Sequence, residues 1–239
     1  MSASAATIFS ASAQPMRLRY FDCRGLAETT RYMLAIAGIE YTDERFPFTF
    51  GVPGDFTTVS RPEFDQAQAA GEFAAGMNKV PLLEVGRHRI SQSKAIERFV
   101  AKKAGMAGND DITAAQIDAV TEHVRDIKQA YQPCRKVNEC EEREEAMRKW
   151  FEETLPDLSS KLERALPDCV CPESAACPEK EHINHAHVAV YSLYHGFFDN
   201  RHGAQAAIEH CPRIQAVCAG VASHPAVRKW ESERPETAF

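Results

Sequence analysis

Hydrophobic and polar residues follow a mixed pattern in the first half of the chain and a helical one in the second. Residues 16–21 alternate between the two classes and predict a strand. Residues 26–37 carry apolar residues at helical spacing, and Gly38 is a suitable stop for that helix. Residues 39–46 can form a second strand. This order predicts a strand-helix-strand unit at the start of the fold.

A second group of elements follows after a long segment. Residues 47–78 hold several glycines and prolines and predict an irregular stretch with a helical turn near 62–70. Residues 80–85 predict a third strand, and residues 88–90 predict a fourth, antiparallel strand after a tight turn. Residues 93–104 predict a helix. The complete order, β-α-β followed by β-β-α, is typical of a thioredoxin-like α/β domain.

The chain therefore divides into two predicted domains and an extension. The thioredoxin-like domain covers residues 16–105, and an all-helical, all-α C-terminal domain covers residues 112–239. Thr113 is the predicted N-terminal cap of the first helix in the second domain. Residues 1–15 are small and polar and lack the basic and apolar regions of a signal peptide, so we expect a disordered extension.

Composition narrows the possible functions. The 239 residues are 44% apolar and 26% charged, an ordinary globular balance, and every apolar run is far shorter than the roughly 20 residues that span a membrane. The net charge of -6 and the absence of a long Lys/Arg stripe argue against nucleic acid or an anionic membrane as partner. Eight cysteines in a chain of this length do not resemble a secreted disulfide scaffold, which favours reduced thiols and a cytoplasmic location.

Three separated motifs give the chain a family resemblance. They read LRYFDCRGLAE at residues 18–28, KVPLLEV at 79–85 followed by SQSKAI at 91–96, and PRI at 212–214 followed by PAVRKW at 225–230. In this order they resemble the motifs of tyrosine-type glutathione S-transferases. The most similar subgroup is the sigma class, which includes glutathione-dependent prostaglandin D synthase and the squid crystallins. The resemblance implies a glutathione transferase fold with glutathione as co-substrate and no metal.

Tyr20 is the predicted catalytic residue. It lies at the end of the first predicted strand, and the resemblance implies that its hydroxyl stabilises the thiolate of glutathione. Lowering a thiol pKa from about 8.5 to about 6.5 requires roughly 2.7 kcal/mol. One hydrogen bond to a charged group supplies roughly 1.5–3 kcal/mol, so a single tyrosine hydroxyl is sufficient. Without the surrounding motif, an ordinary core tyrosine would be the simpler interpretation.

The resemblance also implies a set of glutathione-binding residues in the N-terminal domain. A cis bond before Pro81 would free the backbone of Val80 to pair with the cysteinyl part of glutathione. Gln92 and Ser93 begin a helix whose N-terminus would bind the γ-glutamyl carboxylate; the alternative for Ser93 is a simple helix cap. Lys79 would face the glycine carboxylate or be a solvated loop lysine. The predicted set is Phe21, Arg24, Lys79, Val80, Pro81, Gln92 and Ser93.

Three residues of the first helix of the second domain complete the predicted site. By resemblance, Asp126 reaches the glutathione bound in the partner subunit, which implies a homodimer with shared sites. A solvated helix face is the alternative for Asp126. Lys128 and Tyr131 fall where related enzymes line the electrophile pocket, and a lysine there would make that pocket less apolar.

The chain departs from the family pattern at several positions. Leu26 replaces an arginine that supports the catalytic tyrosine in sigma-like enzymes, so the thiol pKa would rise unless Arg24 compensates. Asn184 and His187 stand where the family has a Ser/Thr-x-x-Asp capping box; Asn184 is a good cap, and His187 is a weaker partner. Residues 45–78 resemble the family only weakly.

The resulting prediction is a cytoplasmic, homodimeric glutathione S-transferase that conjugates glutathione to small electrophiles in detoxification. The alternatives are a glutathione-dependent isomerase of the prostaglandin D synthase type and a non-catalytic, crystallin-like protein on the same fold. A third alternative is a thiol-transfer enzyme with Cys23 as nucleophile.

A loose group of cysteines and histidines lacks the spacing of zinc sites and favours a loop near 167–181. Its members are Cys169, Cys171, Cys177, His182, His185 and His187.

Overall fold

The described part of the chain consists of four segments. The computed structural model describes residues 14–52, 58–137, 140–171 and 183–237. Most of the predicted N-terminal extension and of the predicted loop near 167–181 lies outside these residues, as do Cys177 and His182. No helix in the described part is long and apolar enough to cross a membrane.

The N-terminal domain has the predicted thioredoxin-like order. Its main sheet runs β2-β1-β5-β6, with β1 parallel to β2 and antiparallel to β5. Strands β3 and β4 form a separate antiparallel pair within the segment predicted to be irregular. A short 3-10 helix at Ala74–Gly76 precedes β5. The elements are β1 Met16–Phe21, α1 Glu28–Ile36, β2 Thr42–Phe46, β3 Thr49–Phe50, β4 Val59–Ser60, α2 Pro62–Ala69, β5 Leu82–Val85, β6 His88–Ser91 and α3 Ser93–Lys103.

The described elements of the C-terminal domain are helices, as predicted. Two π-helical turns, Trp150–Thr154 and Leu193–Phe197, interrupt the regular helices. The first lies just before Pro156, which has no N–H to continue the α-helical hydrogen bonds. The helices are α4 Asp111–Arg135, α5 Cys140–Lys149, α6 Leu155–Ala165, α7 His185–Ser192, α8 Arg201–Ala206, α9 Pro212–Ser223 and α10 Pro225–Glu233.

The alternation of β1 divides its side chains between two cores. Leu18 and Tyr20 are buried in the larger core, which continues into the helical domain. On the other face, Phe21 packs against a smaller aromatic core that contains Phe46 and Phe64. β1 is an inner strand of the sheet, and Tyr20 near its C-terminal end belongs to the core that also contains residues of the helical domain.

The cap of α4 differs from the prediction. The N-cap residue is Asp110, whose carboxylate accepts the backbone N–H of Ile112 at 3.0 Å and that of Thr113 at 2.9 Å. Thr113 is therefore a helical residue and the prediction was wrong. The reason is that a carboxylate at the N-cap can reach two of the free N–H groups at the helix start.

His187 completes the capping box of α7. The Asn184 side chain accepts the His187 N–H at 3.2 Å, and the His187 Nδ1 accepts the Asn184 N–H at 2.8 Å. The opposite ring nitrogen, Nε2, donates to the carbonyl of Val170. Burial lowers the pKa of His187 to about 4, so the ring is neutral and can both accept and donate. The His187 ring thus makes the half of the capping box for which the family pattern has an aspartate, and Asn184 makes the other half.

A buried carboxylate joins α1 to the end of the chain. Glu28 is 1% exposed and accepts hydrogen bonds from Arg31 at 3.2 Å, Trp230 at 2.9 Å and Arg234 at 2.6 Å. Burial opposes the ionisation of Glu28, but these partners outweigh it and lower its pKa. The two arginines neutralise a charge that would otherwise be costly to bury.

Candidate functional site

A cavity of about 750 Å³ lies between the end of β1 and the helical domain. Tyr20 and Phe21 reach it from β1, Gln92 and Ser93 from the start of α3, and Lys128 from α4. The structure thus brings together five of the residues predicted for the site. The other six predicted residues are outside the described lining: Arg24, Lys79, Val80, Pro81, Asp126 and Tyr131.

Tyr20 presents a hydroxyl group held by one backbone hydrogen bond. The side chain is 7% exposed, and its oxygen accepts the N–H of Leu26 at 3.1 Å. Because the oxygen is the acceptor in this bond, the hydroxyl proton remains available for another partner. Burial, with a smaller effect from Cys23, raises the pKa of Tyr20 well above its usual value of 10.0. The phenol is therefore a neutral hydrogen-bond donor at physiological pH.

Gly25 makes this arrangement possible. Its φ is +43°, a value that side chains disfavour. A Cβ at this position would lie 2.6 Å from the Tyr20 hydroxyl oxygen and 3.0 Å from the ring carbon Cε1. The Arg24-Gly25 turn thus allows the backbone to approach the phenol closely enough for Leu26 to donate its N–H.

Arg24 is a buried link between the domains. Its Nε donates to the carbonyl of Gly196 at 2.9 Å, and its Nη1 donates to the carbonyl of Thr237 at 2.8 Å. These contacts tie the turn after β1 to the helical domain and to the end of the described chain. They support the turn that carries Gly25, whereas a contact of Arg24 with glutathione stays a prediction.

The segment from Lys79 to Pro81 lies beside the cavity rather than on its described lining. The predicted cis peptide bond between Val80 and Pro81 is confirmed. Pro81 is buried, Val80 is half-buried and Lys79 is exposed on the loop before β5. Their roles in ligand binding stay predictions.

The start of α3 has an uncommon backbone conformation. Gln92 is exposed and has φ 71° and ψ 114°, and it is the N-cap residue of α3. Ser93 is the first helical residue, so the interpretation of Ser93 as the cap was wrong. Non-glycine residues with positive φ are uncommon and concentrate at functional sites. The free N–H groups of this helix start are suited to an anion, in agreement with the cavity lining.

The three predicted residues of α4 have different environments. The Asp126 side chain is 64% exposed, and its carboxylate lies 3.6 Å from Arg125. Lys128 is 6% exposed and lines the cavity, with its Nζ 4.9 Å from the ring centroid of Phe197. Tyr131 is buried behind the Phe197 ring, and its hydroxyl donates to the sulfur of Met147 at 3.6 Å. The lysine of the predicted electrophile pocket is therefore on the cavity wall, and the tyrosine is in the aromatic core.

Sequence reasoning missed a buried carboxylate at the cavity. Glu97 lies one turn into α3, where Lys94 donates to it at 2.7 Å and His185 at 3.0 Å. Burial opposes its ionisation, but these two partners outweigh the burial and hold the pKa of Glu97 at about 2. The sequence did hold a signal of this burial, because Glu97 lies on α3 between Ile96 and Val100, and both of these are core residues.

Cys23 also lines the cavity, in a state unsuited to nucleophilic attack. It is buried, and burial raises the pKa of its thiol to about 11. The thiolate is the nucleophile in thiol chemistry, so these surroundings do not favour the thiol-transfer alternative. Among the described residues, no three His, Cys, Asp or Glu side chains are grouped as a metal site would require.

Comparisons with known proteins agree with this geometry. Residues 16–102 match the family described as "Glutathione S-transferase, N-terminal domain". The chain is 27% identical over 236 residues to a glutathione S-transferase of Plasmodium falciparum (isolate 3D7), covering 93% of this chain and 97% of the relative. It is 28% identical over 226 residues to hematopoietic prostaglandin D synthase of Gallus gallus, and this match covers 93% of this chain and 98% of the relative.

A solved structure extends the similarity to the whole fold. The crystal structure of monomeric Na-GST-3, a glutathione S-transferase from the hookworm Necator americanus, matches with a TM-score of 0.71 at 26% identity. The match covers 94% of this chain and 99% of that chain. The similarity therefore includes the helical domain as well as the N-terminal one.

Proposed function

We propose that this protein conjugates glutathione to small electrophiles, because residues 16–102 match the N-terminal domain family of glutathione S-transferases and the whole chain has the glutathione transferase fold. The observation that carries the proposal is the Tyr20 hydroxyl at the cavity. Its oxygen is occupied by the Leu26 N–H and its proton is free to be donated. A neutral hydrogen-bond donor that is already in position stabilises an anion that forms beside it.

The proposed reaction needs no covalent bond to the protein. The glutathione thiol loses its proton to solvent, and the thiolate accepts a hydrogen bond from Tyr20. The sulfur then attacks the electrophilic carbon, so that a C–S bond forms while the bond to the leaving group breaks and the leaving group takes the electron pair. One charge-assisted hydrogen bond, worth roughly 1.5–3 kcal/mol, is sufficient to keep the thiol ionised near neutral pH.

Glutathione would bind along the edge formed by β1 and the start of α3. The N–H groups at Gln92 and Ser93 suit the γ-glutamyl carboxylate, and the Val80 backbone suits the cysteinyl part. Phe21 lines the cavity and would pack beside the bound glutathione. The proposed protein is a sigma-like homodimer that acts in cytoplasmic detoxification. In this dimer Asp126 of the partner subunit would approach the same ligand, and the exposure of Asp126 on α4 is compatible with that contact.

A glutathione-dependent isomerase is the second candidate. It is favoured by the 28% identity to hematopoietic prostaglandin D synthase over 93% of the chain. The same thiolate would serve both reactions, so the two candidates differ only in the substrate that the cavity accepts. A purely structural, crystallin-like role would not require the Tyr20 hydroxyl to face a cavity of about 750 Å³.

The direct experiment measures glutathione binding and turnover on the full chain. Calorimetry detects glutathione binding, and the absorbance of the conjugate reports turnover of a chloro-dinitrobenzene. We expect both. Binding without turnover of any carbon electrophile would contradict the transferase proposal and favour the isomerase, and absence of binding would contradict the glutathione site itself.

Gly25→Ala is expected to reduce turnover while the protein stays folded. The new Cβ would lie 2.6 Å from the Tyr20 oxygen and must displace the hydroxyl from its position. We expect kcat/KM to fall at least about tenfold, equivalent to ~1.4 kcal/mol of barrier. The matched control is Gly38→Ala, because Gly38 has a similar φ of +62° and no neighbouring atom within 4 Å. Equal turnover in the two variants would contradict the proposed position of Tyr20.

A further inference from the structure

Cations outnumber carboxylates around the cavity, although the chain as a whole is acidic. Among the described lining residues Glu97 is the carboxylate, and the chain carries a net charge of -6. The cationic lining residues are Arg61, Lys94, Arg98, Arg125, Lys128 and Arg135. Such a cavity attracts anions from solution.

Several of these cations already have carboxylate partners. Arg61 lies 3.1 Å from Asp65, and Lys94 lies 2.7 Å from Glu97. Arg98 pairs with Asp118 and Glu122. Ion pairs of this kind position the side chains and reduce the charge that each can offer to a ligand.

Lys128 differs from these cations in having no such partner. In the part of the chain that the structure describes, its Nζ makes no ion pair, and its closest ring is that of Phe197 at 4.9 Å. The side chain is 6% exposed, so water solvates the ammonium poorly. A buried ammonium group without a carboxylate at ion-pair distance is only partly compensated, and an anion bound beside it would complete the site.

The charged groups around Lys128 come from three helices. Lys94 and Glu97 face it from α3, Glu28 faces it from α1, and His185 of α7 is bound to Glu97. Burial, with a contribution from Lys94, lowers the pKa of Lys128 to about 7, and the two glutamates oppose this shift without overcoming it. An anion that binds beside Nζ would raise the pKa again and hold the lysine charged.

We propose that Lys128 binds a carboxylate carried by the electrophile, so that the preferred electrophiles are organic acids with an apolar body. The inference rests on the proposed function. The start of α3 already offers N–H groups to the carboxylate of glutathione, whereas Lys128 lies against Phe197 in the helical half of the cavity. The apolar part of the wall, which would contact the body of the electrophile, consists of Phe21, Leu26, Phe48, Phe50, Val59 and Phe197.

The test compares two electrophiles, one with a carboxylate and one with the uncharged ester, and uses the change in their ratio between variants, in which their intrinsic reactivities cancel. A chloro-dinitrobenzoic acid and its methyl ester share the same reacting carbon, and the acid alone can pair with Lys128. We expect Lys128→Met to lower the acid-to-ester ratio of kcat/KM by about tenfold or more, as a hydrogen bond between charged groups predicts. Lys128→Arg, which keeps the charge, should retain most of that ratio.

The pH dependence gives an independent readout. In the wild type, the acid-to-ester ratio should fall as the pH rises from about 7 to about 9, because Lys128 loses its proton. In Lys128→Arg the ratio should stay level, since a guanidinium remains charged over this range. A trend caused by any other group would be present in both proteins and would cancel in their comparison.

Three results would overturn the inference. The first is an acid-to-ester ratio of kcat/KM that is unchanged in Lys128→Met, and the second is a wild-type ratio that does not respond to pH. The third is a KM for glutathione that rises in Lys128→Met by the same factor with the acid and with the ester. The last would mean that Lys128 binds glutathione instead. If the wild type turns over neither electrophile, the transferase proposal fails, and calorimetry with unreactive dinitrobenzoate decides the inference: weaker binding to Lys128→Met supports it, and equal binding overturns it.

Discussion

Tyr20→Phe is expected to lower kcat/KM for glutathione conjugation by roughly tenfold to a hundredfold, the loss expected from one hydrogen bond to a charged group. The substitution removes the hydroxyl that faces the cavity and leaves the ring in place. Leu26 loses an acceptor for its N–H, but that group lies close to the cavity, where water can replace the oxygen. The expected loss is therefore in the chemical step rather than in folding.

Tyr194→Phe is the matched control for this prediction. Its hydroxyl is also buried, lies 2.8 Å from Ser159 and is outside the described lining of the cavity. We expect Tyr194→Phe to lower the free energy of unfolding slightly and to leave kcat/KM within about twofold, because an ordinary hydrogen bond contributes roughly 1 kcal/mol to stability. A Tyr20→Phe protein that turns over as fast as the wild type would show that another group at the cavity stabilises the thiolate.

Glu28→Gln is expected to destabilise the protein by roughly 3–5 kcal/mol, the cost of removing one partner from a buried ion pair. Glu28 is 1% exposed and accepts hydrogen bonds from Arg31, Trp230 and Arg234. A neutral amide leaves the two guanidinium groups with less counter-charge in a buried environment. The measurement is the free energy of unfolding from urea titrations at neutral pH.

The pH dependence of this contribution has a definite sign. The interactions of Glu28 lower its pKa in the folded protein from 4.5, so the folded state holds the proton less strongly than the unfolded state. The stabilisation is therefore present above pH 4.5 and is lost as the pH falls through the lowered pKa. Glu28→Gln should lack this part of the acid sensitivity.

Asp157→Asn is the control for the loss of a carboxylate from an ion pair. Asp157 pairs with Lys161 at 2.7 Å, and both side chains are about 60% exposed. Exposed pairs contribute little because water screens them, so we expect a much smaller change in unfolding free energy than in Glu28→Gln. Similar losses in the two variants would contradict the role assigned to the buried cluster.

Local sequence patterns predicted the elements that depend on neighbouring residues. The alternation at 16–21 predicted β1, and the order of strands and helices predicted the thioredoxin-like sheet. The place of Tyr20 at the cavity followed from its position at the end of β1 together with the family motif. These features depend on periods of two and 3.6 residues, which are visible along the chain itself.

Other features depend on contacts that no local pattern contains. Leu26 supports Tyr20 through its backbone N–H, so its side chain gave no signal of that role. Arg24 binds the carbonyl of Thr237, more than 200 residues later in the chain. The burial of Lys128 without an anion partner, and the burial of Glu97 beside Lys94, arise only when α3, α4 and the helical domain pack together.

The most direct test of the account titrates the thiol of bound glutathione by ultraviolet difference spectroscopy, in the wild type and in Tyr20→Phe. In the wild type we expect a thiol pKa near 6.5, about two units below the free value of roughly 8.5. In Tyr20→Phe we expect the value to return most of the way to that of free glutathione. A bound thiol with the same pKa in both proteins would contradict the claim that the Tyr20 hydroxyl stabilises the thiolate.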